Sequence, residues 1–197
     1  YPNNPNALSW EDLLIELWHQ VSLHTLSIRP EGISTTEFYD ILELENVKDL
    51  NLQKKVTNLL TDWEPLTHHQ LITEKIADLN APLLTTNFED TMSKTINCEL
   101  FKIDDTSFTD FYPWSTYHGL EKLESPISGF GIWYINGMIN YHRSIRLGLG
   151  HYMGSVERAR NLIHRGKDGR LYSGKNTDFW NGYKTWLHII FNKSLFI

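Results

Sequence analysis

The sequence predicts an α/β domain, with a mostly parallel open sheet and an added helical layer at its N-terminal end. Three observations predict it. Four segments with helical caps or helical spacing precede residue 80; two apolar runs, 82–84 and 131–135, are too short and too tightly bounded for helices; and both run into polar residues at their carboxyl ends. Polar groups after short buried strands are where open α/β sheets bind ligands. Fold class and candidate site are therefore read from the same stretches.

Ser9 stands before Trp10, Glu11 and Asp12, an N-cap followed by acidic first-turn residues, and Leu13, Leu14, Leu17, Trp18 and Val21 then recur at helical spacing to about residue 24. A capping box, Ser34 to Glu37, opens a helix through Leu44 with Phe38, Ile41 and Leu42 inward. Helices over 48–61 and 66–79 follow, the second introduced by Pro65. After Asn80 a strand over 82–86 leads into Thr85, Thr86 and Asn87, and a helix is expected from Phe88, for which local physics makes Asn87 the N-cap before it makes it a ligand. Strands are expected over 98–103, over 131–135 until Asn136-Gly137 breaks it, and over 144–147. A helix over 155–163, a glycine-rich charged loop over 165–170, a helix over 179–190 and the start of a strand at 194–197 complete the chain. Both ends read as cut. Residues 1–197 are expected to form one truncated domain, with 1–79 as the helical layer and 80–197 as the α/β core.

Composition narrows the function classes. Charged residues at 21% and hydrophobic residues at 41% are those of a soluble globular protein. Eighteen Lys and Arg against 24 Asp and Glu leave a net charge of −6, so no direct nucleic-acid binding is expected, and the basic residues between Arg143 and Lys175 read as a solvated helix face and loop. Cys98 is the single cysteine, which excludes an intrachain disulfide or a cysteine-rich zinc ribbon and suits a reducing, cytoplasmic compartment. No apolar stretch approaches the ~18 residues of a membrane helix, and no membrane association is expected. Nine histidines include no metal-ligand pair at helical spacing, so no metal is expected. No Gly-x-Ser-x-Gly elbow occurs, Cys98 has no activating neighbours, and the carboxylate pairs Glu89-Asp90 and Asp104-Asp105 carry no signature of their own. Most of Trp114, Trp133, Trp180 and Trp186 read as core.

What remains is a set of polar residues after short strands: Thr85, Thr86 and Asn87, then Asn136 and Gly137, then Ser144. The run from Ala81 to Met92, with Thr85-Thr-Asn-Phe-Glu-Asp at its centre, resembles the (I/L)-(L/S)-T-T-N-(Y/F)-D segment of sirtuin-like NAD-consuming domains, in particular those of bacterial anti-phage defence. Ile132-Trp-Tyr-Ile-Asn-Gly followed by Ser144-Ile-Arg-Leu-Gly-Leu-Gly-His-Tyr is similar to that family's W-x-I-H-G and S-I-x-L-G-x-x-H-Y segments, and Asn192 to Ile197 resembles its final strand. The resemblance spans roughly residues 65–197 and implies a Rossmann-like fold.

The resemblance implies that NAD is the substrate, hydrolysed to ADP-ribose and nicotinamide. Asn87 would hold the nicotinamide ribose and position the attacking water, Thr85 and Thr86 would line the ribose pocket, and Gly137 and Ser144 would complete the cofactor-binding set. The implied partners are a homo-oligomer or another protein of a defence system. The sequence departs from the pattern at the general base, because Asn136 stands where the family has histidine and cannot accept a proton. Either the chain is a weak or inactive relative, at the limit a non-catalytic nucleotide-binding or scaffold protein, or His118, His142 or His151 reaches the pocket from elsewhere. The family's glycine-rich phosphate segment is not among these residues, and a single cysteine cannot build the zinc module common in protein-deacetylating sirtuins. A further reading is an interaction domain contacting a partner through aromatic residues such as Trp114, Trp133, Trp180 and Trp186.

Overall fold

The structure, a computed structural model, describes residues 8–105, 108–165, 170–171 and 182–192. Helix α1 (Trp10–Val21) starts where the cap predicts, with the Ser9 hydroxyl oxygen accepting the Asp12 N–H at 3.1 Å. Helix α2 (Thr35–Leu44) carries the full Ser34/Glu37 capping box. Helix α3 (Leu52–Thr61) begins later than expected, because Asn51 Oδ1 accepts the Lys54 N–H at 2.9 Å and sets the first turn there. Helix α4 (Thr67–Asp78) follows Pro65, and His69 Nδ1 accepts the Leu66 N–H at 3.1 Å. The apolar stripes of α1, α2 and α3 close on one another around Leu14, Leu17, Val21, Leu42 and Val56, joined by Ile145 and Leu147. Helix α4 packs instead against the sheet through Ile76 and Ala77.

The strands are β1 (Pro82–Thr85), β2 (Glu99–Lys102), β3 (Thr116–Gly119) and β4 (Gly131–Tyr134), in the order β1-β4-β3-β2. Only β1 and β4 run parallel, in register from Pro82 opposite Gly131 to Thr85 opposite Tyr134; β4 with β3 and β3 with β2 are antiparallel. The expectation of a mostly parallel sheet is thus overturned. Its reason lies in the connections: parallel neighbours need a long crossover, normally a helix, and no described helix lies between β2 and β3 or between β3 and β4. The β2–β3 ladder instead continues through the Ile103 N–H, which donates to Ser115 C=O at 3.0 Å.

Every residue of β4 is buried, as befits a strand covered on both faces. Ile132 and Tyr134 face α4 and helix α5 (Thr91–Thr95); Trp133 faces Tyr117, Leu162 of helix α6 (Leu149–Ile163), and Trp186 and Leu187 of the C-terminal helix α7 (Leu187–Asn192). Trp114, Trp133 and Trp186 are core residues, which removes them from any partner surface; Trp180 lies outside the described residues.

Four further expectations are corrected. The helix after β1 starts at Thr91, with Asp90 in the N-cap position, so Asn87 caps nothing. Residues 144–147 form no strand; a 3-10 helix (Ile139–Ser144) precedes an extended stretch whose Arg146 N–H donates to Asn136 C=O at 2.9 Å. Helix α6 starts six residues before Ser155, because the distant Asp40 carboxylate accepts the Leu149 N–H at 3.2 Å and supplies the cap. The helix expected over 179–190 is described only as α7, after a turn at residues 182–186. His164–Arg165 and Arg170–Leu171 pair as short strands β5 and β6 around the expected loop, and residues 166–169 and 194–197 lie outside the described set.

Candidate functional site at the carboxyl ends of the parallel pair

Parallel pairing sends β1 and β4 out of the sheet side by side. The Ile135 N–H donates to Thr85 C=O at 2.9 Å, the Asn136 Nδ2 donates to Thr86 C=O at 3.2 Å, and the Ile139 N–H donates to Phe88 C=O at 3.0 Å. These bonds tie the 85–90 segment to the 135–139 segment, 50 residues apart in sequence for Thr86 and Asn136. Thr85 then turns the chain: its Oγ1 accepts the Asn87 N–H at 3.1 Å, the side-chain turn that threonine favours.

Beyond the two strand ends lies a cleft of about 510 Å³. Its floor is Thr86, Asn87, Phe88, Glu89 and Asn136; its walls are Leu8, Ser9, Trp10 and Leu13 from the start of α1, Leu60 and Trp63 from the end of α3, and Tyr152 from α6. That volume falls in the range of small-molecule sites, and the lining has their character, apolar and aromatic walls with a few convergent polar groups. Phe88 and Trp10 pack with ring centroids 5.7 Å apart, which fixes the polar floor against the helical layer.

The structure brings Thr86, Asn87 and Asn136 together on this floor, as the sequence predicts. It does not bring Thr85, Gly137 or Ser144 to the lining. Thr85 serves as the turn hydroxyl. Ser144 is fully buried, and its Oγ accepts the Met138 N–H at 3.0 Å, closing the loop that carries Asn136. Gly137 has φ +100° and lies so close to this closure that a Cβ would sit 2.1 Å from the Ser144 carbonyl oxygen, so only glycine fits.

Sequence reasoning passed over the α1 and α3 walls, since nothing local shows that Ser9, Trp10 and Trp63 meet residue 87. It also left Glu89 as one member of a carboxylate pair. In the structure Glu89 is 5% exposed, and its Oε1 accepts a hydrogen bond from Asn87 Nδ2 at 3.1 Å. Burial pushes its carboxyl up to about 7, partly opposed by that hydrogen bond and by Thr91 at the start of α5.

None of the three candidate histidines lines the cleft. His118, on β3, is buried against Tyr134 with ring centroids 5.5 Å apart, and burial lowers it to about 4. His151 Nδ1 accepts the Leu147 N–H at 3.2 Å, and its ring packs on Tyr39 of α2. His142 lies in the 3-10 helix. Among the described residues, no group of three or more His, Cys, Asp or Glu is placed to hold a metal ion, and no helix is long and apolar enough to cross a membrane. No protein-family model, no curated protein and no solved structure matches the chain.

Proposed function

We propose that the cleft binds NAD by its nicotinamide-ribose end and hydrolyses it to nicotinamide and ADP-ribose, the role that the resemblance implies for a Rossmann-like domain of anti-phage defence. The observation that carries this reading is the convergence of Thr86, Asn87 and Asn136, from two motifs distant in sequence, on the floor of one cleft. Cleaving the nicotinamide bond creates an oxocarbenium-like centre at the anomeric carbon. Such a centre is served by positioned dipoles, and the Asn87 carboxamide beside Trp10, Trp63 and Phe88 offers one. No lysine or arginine is in the described lining, so the pyrophosphate would be held by groups other than these.

The experiment is nicotinamide release from NAD by the full-length protein beside Asn87→Ala. Release that falls by about 10²-fold or more in the variant supports the reading, the loss typical of a removed transition-state dipole. Equal release by both proteins moves the chemistry away from this cleft. The non-catalytic reading is favoured by one observation, the tie from Asn136 Nδ2 to Thr86 C=O, which makes Asn136 a brace between strand ends. It predicts NAD binding by calorimetry with no release.

A further inference from the structure

We propose that Glu89 is the proton acceptor of this cleft and takes the proton of the attacking water; the inference rests on the NAD reading above. The geometry carries it. Glu89 is the only carboxylate in the described lining, it makes no ion pair among the described residues, and it sits within hydrogen-bond reach of the Asn87 carboxamide that would hold the ribose and the water. Asn136 cannot accept a proton, and none of His118, His142 and His151 lines the cleft.

The step balances. The water oxygen bonds to the anomeric carbon as the carbon–nitrogen bond to nicotinamide breaks. The bonding pair passes to the ring nitrogen and neutralises its positive charge, and the water proton passes to a Glu89 oxygen and then to solvent. A base is most effective when its pKa lies near the working pH, and burial has moved this carboxyl up to about 7.

The charged and titratable groups around Glu89 leave it that role. Asp90, its neighbour, pushes its pKa up but is itself paired with Lys94 at 2.9 Å. Tyr134 on β4 and Tyr152 on α6 are both raised by burial and stay neutral. The described walls from α1 and α3 contribute no ionisable side chain.

A merely structural role, in which Glu89 only steadies Asn87, would alter affinity and leave the pH profile intact. The test is therefore steady-state nicotinamide release by the full chain from pH 5 to 9, for wild type, Glu89→Gln and Glu89→Asp, with unfolding temperature and NAD affinity measured alongside. Expected is a wild-type kcat that rises through about pH 7 to a plateau, and a Glu89→Gln kcat lower by about 10²–10⁴-fold with KM unchanged and the acid limb gone. Glu89→Asp is expected to recover part of the rate with the limb displaced to lower pH, and it carries the test alone if Glu89→Gln does not fold. A Glu89→Gln enzyme that keeps wild-type kcat and its pH limb, while Asn87→Ala is dead, overturns this inference and leaves the NAD reading standing. NAD binding without release by wild type also overturns it, and neither binding nor release overturns both.

Discussion

The two halves of the sheet each border a pocket of similar size, and they use their polar groups in opposite ways. On the parallel side, β1 and β4 end together and place Thr86, Asn87 and Asn136 on the floor of the cleft of about 510 Å³. Towards the antiparallel side, a space of about 540 Å³ is lined by Glu64, Pro65, Asp90, Ser93, Lys94, Asn97, Cys98 and His118. There Lys94 is committed three times, to Asp90 at 2.9 Å and to the carbonyls of Thr61 and Trp63 at 3.1 Å each. Burial pushes the Cys98 thiol up to about 11, which keeps it protonated and unreactive at neutral pH. Volume therefore does not mark the site. The difference is that strand polarity converges polar side chains in one place, whereas in the other Lys94 is already engaged by Asp90 and by two backbone carbonyls.

Strand β4 belongs to both halves, so the strongest way to break the comparison is to remove its centre. Trp133 is fully buried, stacks on Tyr117 with centroids 4.7 Å apart, and sits opposite Leu84 of β1. Trp133→Ala is expected to cost about 3–5 kcal/mol in chemical denaturation, and to weaken both halves together. Loss of amide protection on one side alone would show that the halves fold independently.

Two of the buried titratable groups sharpen the contrast through pH. Glu89 ionises near 7 in the fold and near 4.3 when unfolded, so between these values the unfolded chain holds fewer protons and stability falls as pH rises. Glu89→Gln is therefore expected to be more stable than wild type by roughly 3 kcal/mol at pH 8, with the advantage vanishing at pH 4. His118 has the opposite sign. Its proton is held less tightly in the fold, so stability is full above about 6.5 and is lost as pH falls towards 4, and His118→Phe is expected to flatten that acid loss. Denaturant midpoints from pH 4 to 8 check both.

A smaller effect separates floor from wall. Gly137→Ala forces a Cβ onto the Ser144 carbonyl at φ +100° and is expected to cost about 2 kcal/mol, displacing Asn136 with the loop. Ser9→Ala removes only the α1 cap and is expected to cost about 1 kcal/mol, read as a lowered unfolding temperature.

The helices were legible in the sequence because their signals are local: the Ser9 and Ser34 caps and the spacing of Leu13, Leu14 and Leu17 need no tertiary context. Strands β1 and β4 were legible as short apolar runs, and with them the meeting of Asn87 and Asn136. Strand β3 was not foreseen, since its Thr-Tyr-His-Gly sequence shows no apolar alternation although all four residues are buried. Strand direction was illegible because it depends on how the chain returns between 102 and 116. The true start of α6 was hidden because its cap is Asp40, 109 residues away. Glu89 shows the same limit: its chemistry comes from its burial, which only the fold supplies.

The central claim is that NAD occupies the cleft beyond the parallel strand ends. The most direct measurement is fluorine NMR of the full protein carrying 5-fluorotryptophan, titrated with NAD, with each signal assigned by single Trp→Phe variants. The account predicts that the Trp10 and Trp63 signals shift on binding, while the core residues Trp114, Trp133 and Trp186 stay in place. Shifts confined to the core tryptophans, or no shift at saturating NAD, would contradict it.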